Sequence, residues 1–120
     1  MRDNQITSIL GELNNSSAEI EASAVISMDG LMMASLLPPG LEEDRIGAMT
    51  AAILALSARA AAELERGELE QVLVKGHAGY AMLTRAGTEA VLAVLTRSGA
   101  KLGLVFLDVR RAAEKLATAI

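Results

Sequence analysis

A helical stretch spanning residues 42–66 is apolar or small around almost its whole circumference. At about 100° per residue, two stripes of such side chains run along it, centred roughly 150° apart. One stripe carries the larger side chains: Ile46, Met49, Ile53, Leu56 and Ala60. The other consists of Ala48, Ala51, Ala55, Ala58 and Ala62. Because a helix that is apolar all round is normally buried on both sides, we expect a second protein surface to cover this one. The chain is therefore expected to act as a dimer that binds something.

Length and composition narrow the possible folds and functions. A chain of 120 residues fits a single domain spanning residues 1–120. Aromatic residues make up only 2% of it, which disfavours stacking platforms for nucleic-acid bases. The net charge of −4 is opposite in sign to that of a nucleic-acid binder. The absence of cysteine excludes disulfides and thiolate metal sites, and it fits a reducing cytoplasm.

No segment is expected to cross a membrane or to direct export. The uncharged run of residues 46–58 is much shorter than the roughly 20 residues that a span needs. The first residues include an early acid, Asp3, and lack the apolar core of a signal peptide. We therefore expect a soluble, cytoplasmic protein.

The first part of the chain predicts a helix. Its apolar residues with helical spacing are Ile6, Ile9, Leu10 and Leu13. Asp3 or Asn4 is expected to cap this helix at its start, and residues 14–17 are expected to end it.

A hairpin is predicted next. Between Ile20 and Met28 the apolar residues recur at every second position, as in a strand. The pair Asp29-Gly30 follows and is typical of a type I′ turn, in which both central residues need a positive φ. Residues 31–37 return as a second strand, which the run 38–40 (PPG) ends because proline cannot continue a hydrogen-bonded ladder.

The second half of the chain predicts a helix, three strands and a helix. Acids at the start of the stretch 42–66 suit the positive end of a helix dipole, and Gly67 is placed where a C-terminal cap is expected. Strands are predicted over 68–75, 78–85 and 88–96, joined by hairpins. A last helix runs from about residue 100 to residue 120. The order α-β-β-α-β-β-β-α predicts an α+β domain whose antiparallel sheet carries helices on its faces.

Several segments together resemble a known family. They are residues 25–35 (VISMDGLMMAS), 72–76 (VLVKG) with Gly79-Tyr80, 92–96 (LAVLT), 102–104 (LGL) and 110–113 (RRAA). In this order and spacing the chain resembles the Roadblock/dynein light chain family over essentially its full length, particularly its bacterial members. None of these segments is a catalytic fingerprint.

The resemblance implies both an assembly and a partner. It implies a five-stranded antiparallel sheet in a homodimer, with the third strand, here 68–75, pairing with its copy and the central helices side by side. It also implies that the chain binds and regulates a small Ras-like GTPase, as the bacterial members do. Genes of some bacterial members neighbour a sensor kinase and a GTPase, so the chain is expected to belong to a signalling module.

Two groups of contact residues follow. The expected dimer contacts are Ala48, Ala51, Ala55, Ala58 and Ala62 of the helix, with Val72 and Val74 of the third strand. The few polar residues of the helix are expected to form a rim beside the alanine stripe. This rim is either a contact for the GTPase or a solvated edge with internal ion pairs. The rim residues are Arg45, Arg59, Glu63 and Arg66. No spacing singles out one of these arginines as an arginine finger.

No catalytic, cofactor or metal site is predicted. His77 is the single histidine and is interpreted as a turn residue, because a metal site usually needs three or four ligands. A phosphate-binding G-x-x-x-x-G-K-[ST] loop is absent, so the chain is not expected to bind GTP itself. The alternative function is a small-molecule sensor, which requires a cavity with converging polar groups; the best candidates for them are Ser23, Ser27 and Thr84.

Overall fold

The computed structural model describes residues 2–120, which form three helices and five strands in the predicted order. In chain order they are α1 (Arg2–Ser16), β1 (Ile20–Ser27), β2 (Met32–Leu36), α2 (Glu43–Glu63), β3 (Gln71–Gly76), β4 (Gly79–Ala86), β5 (Ala90–Arg97) and α3 (Leu102–Ala119). The strands make one antiparallel sheet in the order β2-β1-β5-β4-β3. The predicted α+β class is therefore confirmed.

The helices cover the two faces of the sheet unequally. Helices α1 and α3 pack side by side on one face and enclose the larger core, to which Leu10, Leu92 and Leu116 belong. Helix α2 lies alone on the other face over a smaller core built around Ile26 and Leu54. The cover on the α2 face is incomplete toward the β3 edge, where Val74 is 44% exposed.

Strand β1 differs from the half-exposed strand that its period of two predicts. Its residues from Ala22 to Ile26 are all buried, because β1 is a central strand with helices on both faces. The small residues Ala22, Ser23 and Ala24 make this tight double packing possible. The alternating pattern correctly predicts a strand, but it does not predict that both faces of β1 are buried.

Several element boundaries differ from the predicted ones. Helix α1 already includes Asp3 and Asn4, so neither residue is its N-terminal cap. Strand β3 begins at Gln71 and not at residue 68. The hairpin between β1 and β2 is not a two-residue type I′ turn, because Gly30 has φ +92° whereas Asp29 is not among the positive-φ residues. A longer turn forms instead, in which the Ser27 N–H donates to the Leu31 carbonyl at 2.9 Å.

The C-terminus of α2 is capped two residues earlier than predicted. Glu65, and not Gly67, takes the left-handed conformation that ends the helix, with φ +56°. The Arg66 N–H donates to the Ala61 carbonyl at 2.8 Å, and the Glu65 N–H donates to the Ala62 carbonyl at 3.1 Å. These two bonds are those of a Schellman motif, whose left-handed position glycine normally fills. A glutamate there is strained by contact of its Cβ with the backbone.

We therefore expect the Glu65→Gly variant to be more stable than the parent protein by about 1 kcal/mol. Chemical denaturation monitored by circular dichroism measures this difference. Glu68→Gly is the matched control, because residue 68 lies on the same connection and does not have a positive φ. A Glu65→Gly variant no more stable than Glu68→Gly would contradict the strained cap.

Candidate interaction surface on the second helix

Helix α2 touches its own sheet through a narrow stripe that lies between the two predicted ones. The fully buried residues of α2 are Gly47, Thr50 and Leu54, which follow one another at intervals of three and four and so share one face. Neither the large apolar stripe nor the alanine stripe faces the sheet directly. The two stripes occupy opposite flanks of the helix, and the face that packs on the sheet lies between them.

Two glycines set how closely α2 approaches the sheet. A Cβ atom on Gly47 would collide with the carbonyl oxygen of Gly30 in the β1–β2 turn. A Cβ atom on Gly30 would in turn lie 3.1 Å from the Gly47 oxygen and 3.2 Å from the Ala51 Cβ. The backbones of the turn and the helix are thus in direct contact, which only glycine permits at position 47. This contact could not be predicted from the sequence, because Gly30 lies in the β1–β2 turn and Gly47 lies in α2.

The larger apolar stripe is exposed along α2. Met49 is 51% exposed, Ile53 is 37% exposed and Leu56 is 71% exposed. Only Ile46, at the start of the stripe, packs against the smaller core. Contiguous exposed apolar side chains on one helix flank are typical of an interaction surface.

The alanine stripe follows the other flank, next to the end of the sheet where β1 terminates. Ala51 is half-buried against Gly30, and Ala58 and Ala62 line a cleft that Met28 also lines. Apart from Ala51, all members of the stripe are exposed: Ala48, Ala55, Ala58 and Ala62. The predicted seam residues therefore share one flank, and part of that flank already contacts the chain's own turn.

Strand β3 forms a free edge of the sheet beside α2. Val72 and Val74 share the face on which α2 lies, since they pair with Leu83 and Ala81 of β4. Val72 packs against the smaller core, whereas Val74 is 44% exposed. Val74 and the exposed stripe of α2 are therefore both apolar surface on the same side of the sheet.

Three of the predicted rim residues, Arg45, Arg59 and Glu63, lie on the solvent side of α2, whereas Arg66 lies beyond the end of the helix because the helix is capped at Leu64. Arg45 is 3.8 Å from the Glu42 carboxylate, and Arg59 is 3.3 Å from the Glu63 carboxylate, with all four side chains exposed. The Arg66 Nε donates to the Leu64 carbonyl at 3.0 Å. Exposed pairs of this kind contribute little to stability, so the rim is free to exchange its internal pairs for contacts with a partner.

The polar groups named for a small-molecule sensor do not converge. Ser23 is buried on the α1 side, where its hydroxyl donates to the Asn14 side chain at 2.7 Å. Ser27 accepts a hydrogen bond from the Leu31 N–H at 3.1 Å in the turn, and the Thr84 hydroxyl accepts one from the Gln71 amide at 2.8 Å. Each of them serves a separate structural bond. His77 lies in the exposed turn between β3 and β4, as predicted.

The structure also bears on metal binding and on membrane insertion. Within residues 2–120 no group of three histidine, cysteine or acidic residues is placed to hold a metal ion. Helix α2 is long and apolar enough, by those two criteria alone, to cross a membrane. However, its uncharged run between Arg45 and Arg59 rises only about 20 Å at 1.5 Å per residue, against a hydrocarbon core of about 30 Å.

Comparison with known proteins gives consistent matches. The Roadblock/LC7 domain matches residues 8–96. An uncharacterised protein of Methanocaldococcus jannaschii is 40% identical over 92% of this chain and 96% of its own length. The solved structure of gliding protein MglB from Thermus thermophilus has a TM-score of 0.87 at 20% identity, covering 98% of this chain and 90% of that one. A structure of MglB with a tetrameric arrangement has a TM-score of 0.91 at 22% identity, covering 98% and 89%.

The close contact of α2 with the β1–β2 turn predicts a difference between two helical glycines. Gly47→Ala should destabilise the protein by about 2 kcal/mol, because its methyl group forces the helix away from the Gly30 carbonyl. Gly103→Ala on α3, where a Cβ would meet nothing within 4 Å, should instead stabilise the protein by up to about 1 kcal/mol. Urea denaturation of both variants measures this. Equal effects at the two glycines would show that the helix and turn are not in contact.

Proposed function

Because this chain belongs to the Roadblock/LC7 domain family, we propose that it is a non-enzymatic homodimeric module that binds and regulates a small Ras-like GTPase. The GTPase follows from the resemblance to bacterial members of the family, which also suggests a cytoplasmic signalling system that includes a sensor kinase. The observation that carries the proposal is the exposure of α2, which leaves Met49, Ile53 and Leu56 bare on one flank. A soluble protein normally covers contiguous apolar surface of this kind with a partner.

Self-association explains this surface without a further protein. The exposed side chains of α2 lie on the same side of the sheet as Val74 of the free edge strand β3. Antiparallel pairing of β3 with its copy would satisfy the unpaired backbone groups of that edge. It would also bring the second copy of α2 over the uncovered part of the sheet. The tetrameric arrangement of one MglB structure supports the idea that proteins with this fold assemble with themselves.

Edge strand β3 is a better candidate for pairing than β2, the other edge strand. The side chains of β2 are all half-buried, and its Ser35 hydroxyl is bonded to Glu43 of α2 at 2.7 Å. The side chains of β3 are mostly exposed, Lys75 is its single charged residue, and it lacks proline. An exposed edge with few blocking charges readily adds another strand.

The proposed GTPase contact is the polar rim of α2. Arg45, Arg59 and Glu63 lie on the side of α2 away from the sheet, and Arg66 is exposed just after the helix. Pairing of two copies through the flank and the edge strand would therefore leave them accessible. Two rims on one dimer would form a platform of mixed charge. Such charges chiefly set the rate and specificity of association, which suits a regulator that must select one GTPase.

A charge placed on α2 should weaken the dimer. We expect Leu56→Arg to raise the dissociation constant about tenfold or more, since burial of a leucine side chain is worth about 1.5–3 kcal/mol. Ala55→Arg, in the alanine stripe, should also weaken self-association by burying an unpaired charge, but less than Leu56→Arg, because its flank carries less apolar area. Sedimentation velocity over a concentration series measures both effects.

The matched control for these variants is Glu114→Arg, which adds an arginine to the exposed face of α3. It should leave the dimer unchanged. A larger effect of Ala55→Arg would assign the seam to the alanine stripe, as the sequence predicted. A dimer that survives both α2 variants, or a parent protein that stays monomeric at high concentration, would remove α2 from the interface.

A swap of charges within the rim should reduce GTPase binding. In the double variant Arg59→Glu with Glu63→Arg, the ion pair within the helix persists, so stability should change by less than about 0.5 kcal/mol. Affinity for the GTPase should fall about tenfold, since the partner meets the opposite charges. The GTPase is first identified by co-purification from the native cell, and its binding and nucleotide turnover are then measured in GDP- and GTP-loaded forms.

The corresponding control swaps a remote exposed pair, Lys115 with Glu12, which are 3.4 Å apart between α3 and α1. The variant Lys115→Glu with Glu12→Lys should bind the GTPase normally. If both swaps leave the affinity unchanged, the rim is a solvated edge. If no GTPase co-purifies and none binds in either nucleotide state, the proposed partner is wrong although the dimer stands.

A further inference from the structure

The side chain of Arg85 has a buried donor that the fold does not use. Arg85 lies near the end of β4, two residues after Leu83 and on the same face of the sheet, beneath the C-terminal half of α2. Its Nε atom is buried and has no hydrogen-bond partner among residues 2–120. No ion pair of the described chain involves Arg85 either. Buried donors are almost always paired, so this Nε atom lacks the acceptor that a buried donor normally has.

A cleft of about 660 Å³ opens beside this guanidinium. One wall is apolar and combines the end of α2 with the start of the β1–β2 turn and the approach to β3. It consists of Met28, Leu54, Ala58, Ala62 and Leu69. Glu65 and Glu68 stand on the same cleft, on the connection that follows α2. The cleft therefore presents one cation, two carboxylates and a hydrocarbon surface.

We propose that this cleft binds an apolar α-amino acid, whose carboxylate accepts from Arg85 and whose ammonium group faces Glu65 and Glu68. Arginine presents a planar fork of donors that matches a carboxylate in bidentate geometry. The aliphatic side chain of the ligand then lies on the wall formed by Leu54, Ala58 and Ala62. A phosphate fits less well, because its second negative charge is repelled by the two glutamates.

The cleft includes neither the larger apolar stripe nor the polar rim of α2, but two of its lining residues, Ala58 and Ala62, belong to the predicted alanine seam. The cleft lies on the alanine flank of α2 at the end of the sheet, whereas the larger apolar stripe lies on the opposite flank. The site also differs from the sensor hypothesis drawn from Ser23, Ser27 and Thr84, none of which lines this cleft. Sequence alone could not single out Arg85, because only its lack of an acceptor distinguishes it from other arginines.

The first test is a titration of the parent protein with L-leucine. Binding is monitored through the thermal unfolding temperature and through the ¹⁵N–¹H resonance of the Arg85 Nε. We expect a saturable rise in Tm and a saturable shift of that resonance. Leucinamide, which lacks the carboxylate, and 4-methylpentanoate, which lacks the ammonium group, should each bind about tenfold or more weakly. The variant Arg85→Met should lose at least tenfold in affinity for leucine. Arg110→Met, an exposed arginine outside this cleft, is the matched control and should bind as the parent does.

The stability of the unliganded variants provides a second, separate readout. Because the buried Nε atom has no partner in the fold, its removal should cost little, and Arg85→Met should unfold at the same temperature as the parent or at a higher one. If Arg85→Met and Glu68→Gln each lower the Tm, Arg85 is paired within the chain and the proposal is wrong. Absence of saturable leucine binding, or equal binding by the parent and Arg85→Met, also overturns it.

Discussion

The arrangement of this molecule depends on how little of α2 its own sheet can cover. A helix that crosses a sheet contacts it along one narrow stripe, here Gly47, Thr50 and Leu54. In most small domains the rest of such a helix is polar. In α2 both flanks of that stripe are largely apolar. Apart from Glu43 and Asp44 in the first turn, its charged residues lie on the side away from the sheet. This pattern motivates the two interaction surfaces that are proposed on the opposite flanks of α2.

The identity and order of the elements could be predicted because each is specified locally. Period-two segments with glycine-containing turns marked the strands, and the dominant stripe of α3, with Val109 and Leu116, marked the last helix. Family resemblance rested on the same segments and on their spacing. Those features belong to single elements, and the structure confirms them.

The orientation of α2 could not be predicted, for a physical reason. Periodicity identifies which side chains share a face, but it does not identify which of several apolar faces touches the core. The face chosen here contains a glycine and a threonine, Gly47 and Thr50, because backbone contact with Gly30 decides the approach. That contact joins residues from a turn and from a helix, so no single window of sequence contains it.

The same limit applies to Arg85, which is distinguished only by the acceptor that its Nε atom lacks. Glu65 is a further case, since glycine was available two positions later and the chain nevertheless ends the helix at a glutamate.

The opposite placement of the two flanks has a thermodynamic consequence for the proposed functions. A ligand in the Arg85 cleft would contact Ala58 and Ala62, while a second copy of the chain would contact Leu56 on the other side of the same helical turns. The rim residues Arg59 and Glu63 lie between the two, on the solvent side. A ligand that favours one position of α2 changes the affinity of another surface only if that surface also distinguishes the two positions, and each then changes the affinity of the other by the same factor. Since Gly47, Thr50 and Leu54 fix the first half of α2 to the turn and the sheet, the part of the helix beyond Leu54 is best able to transmit such a change.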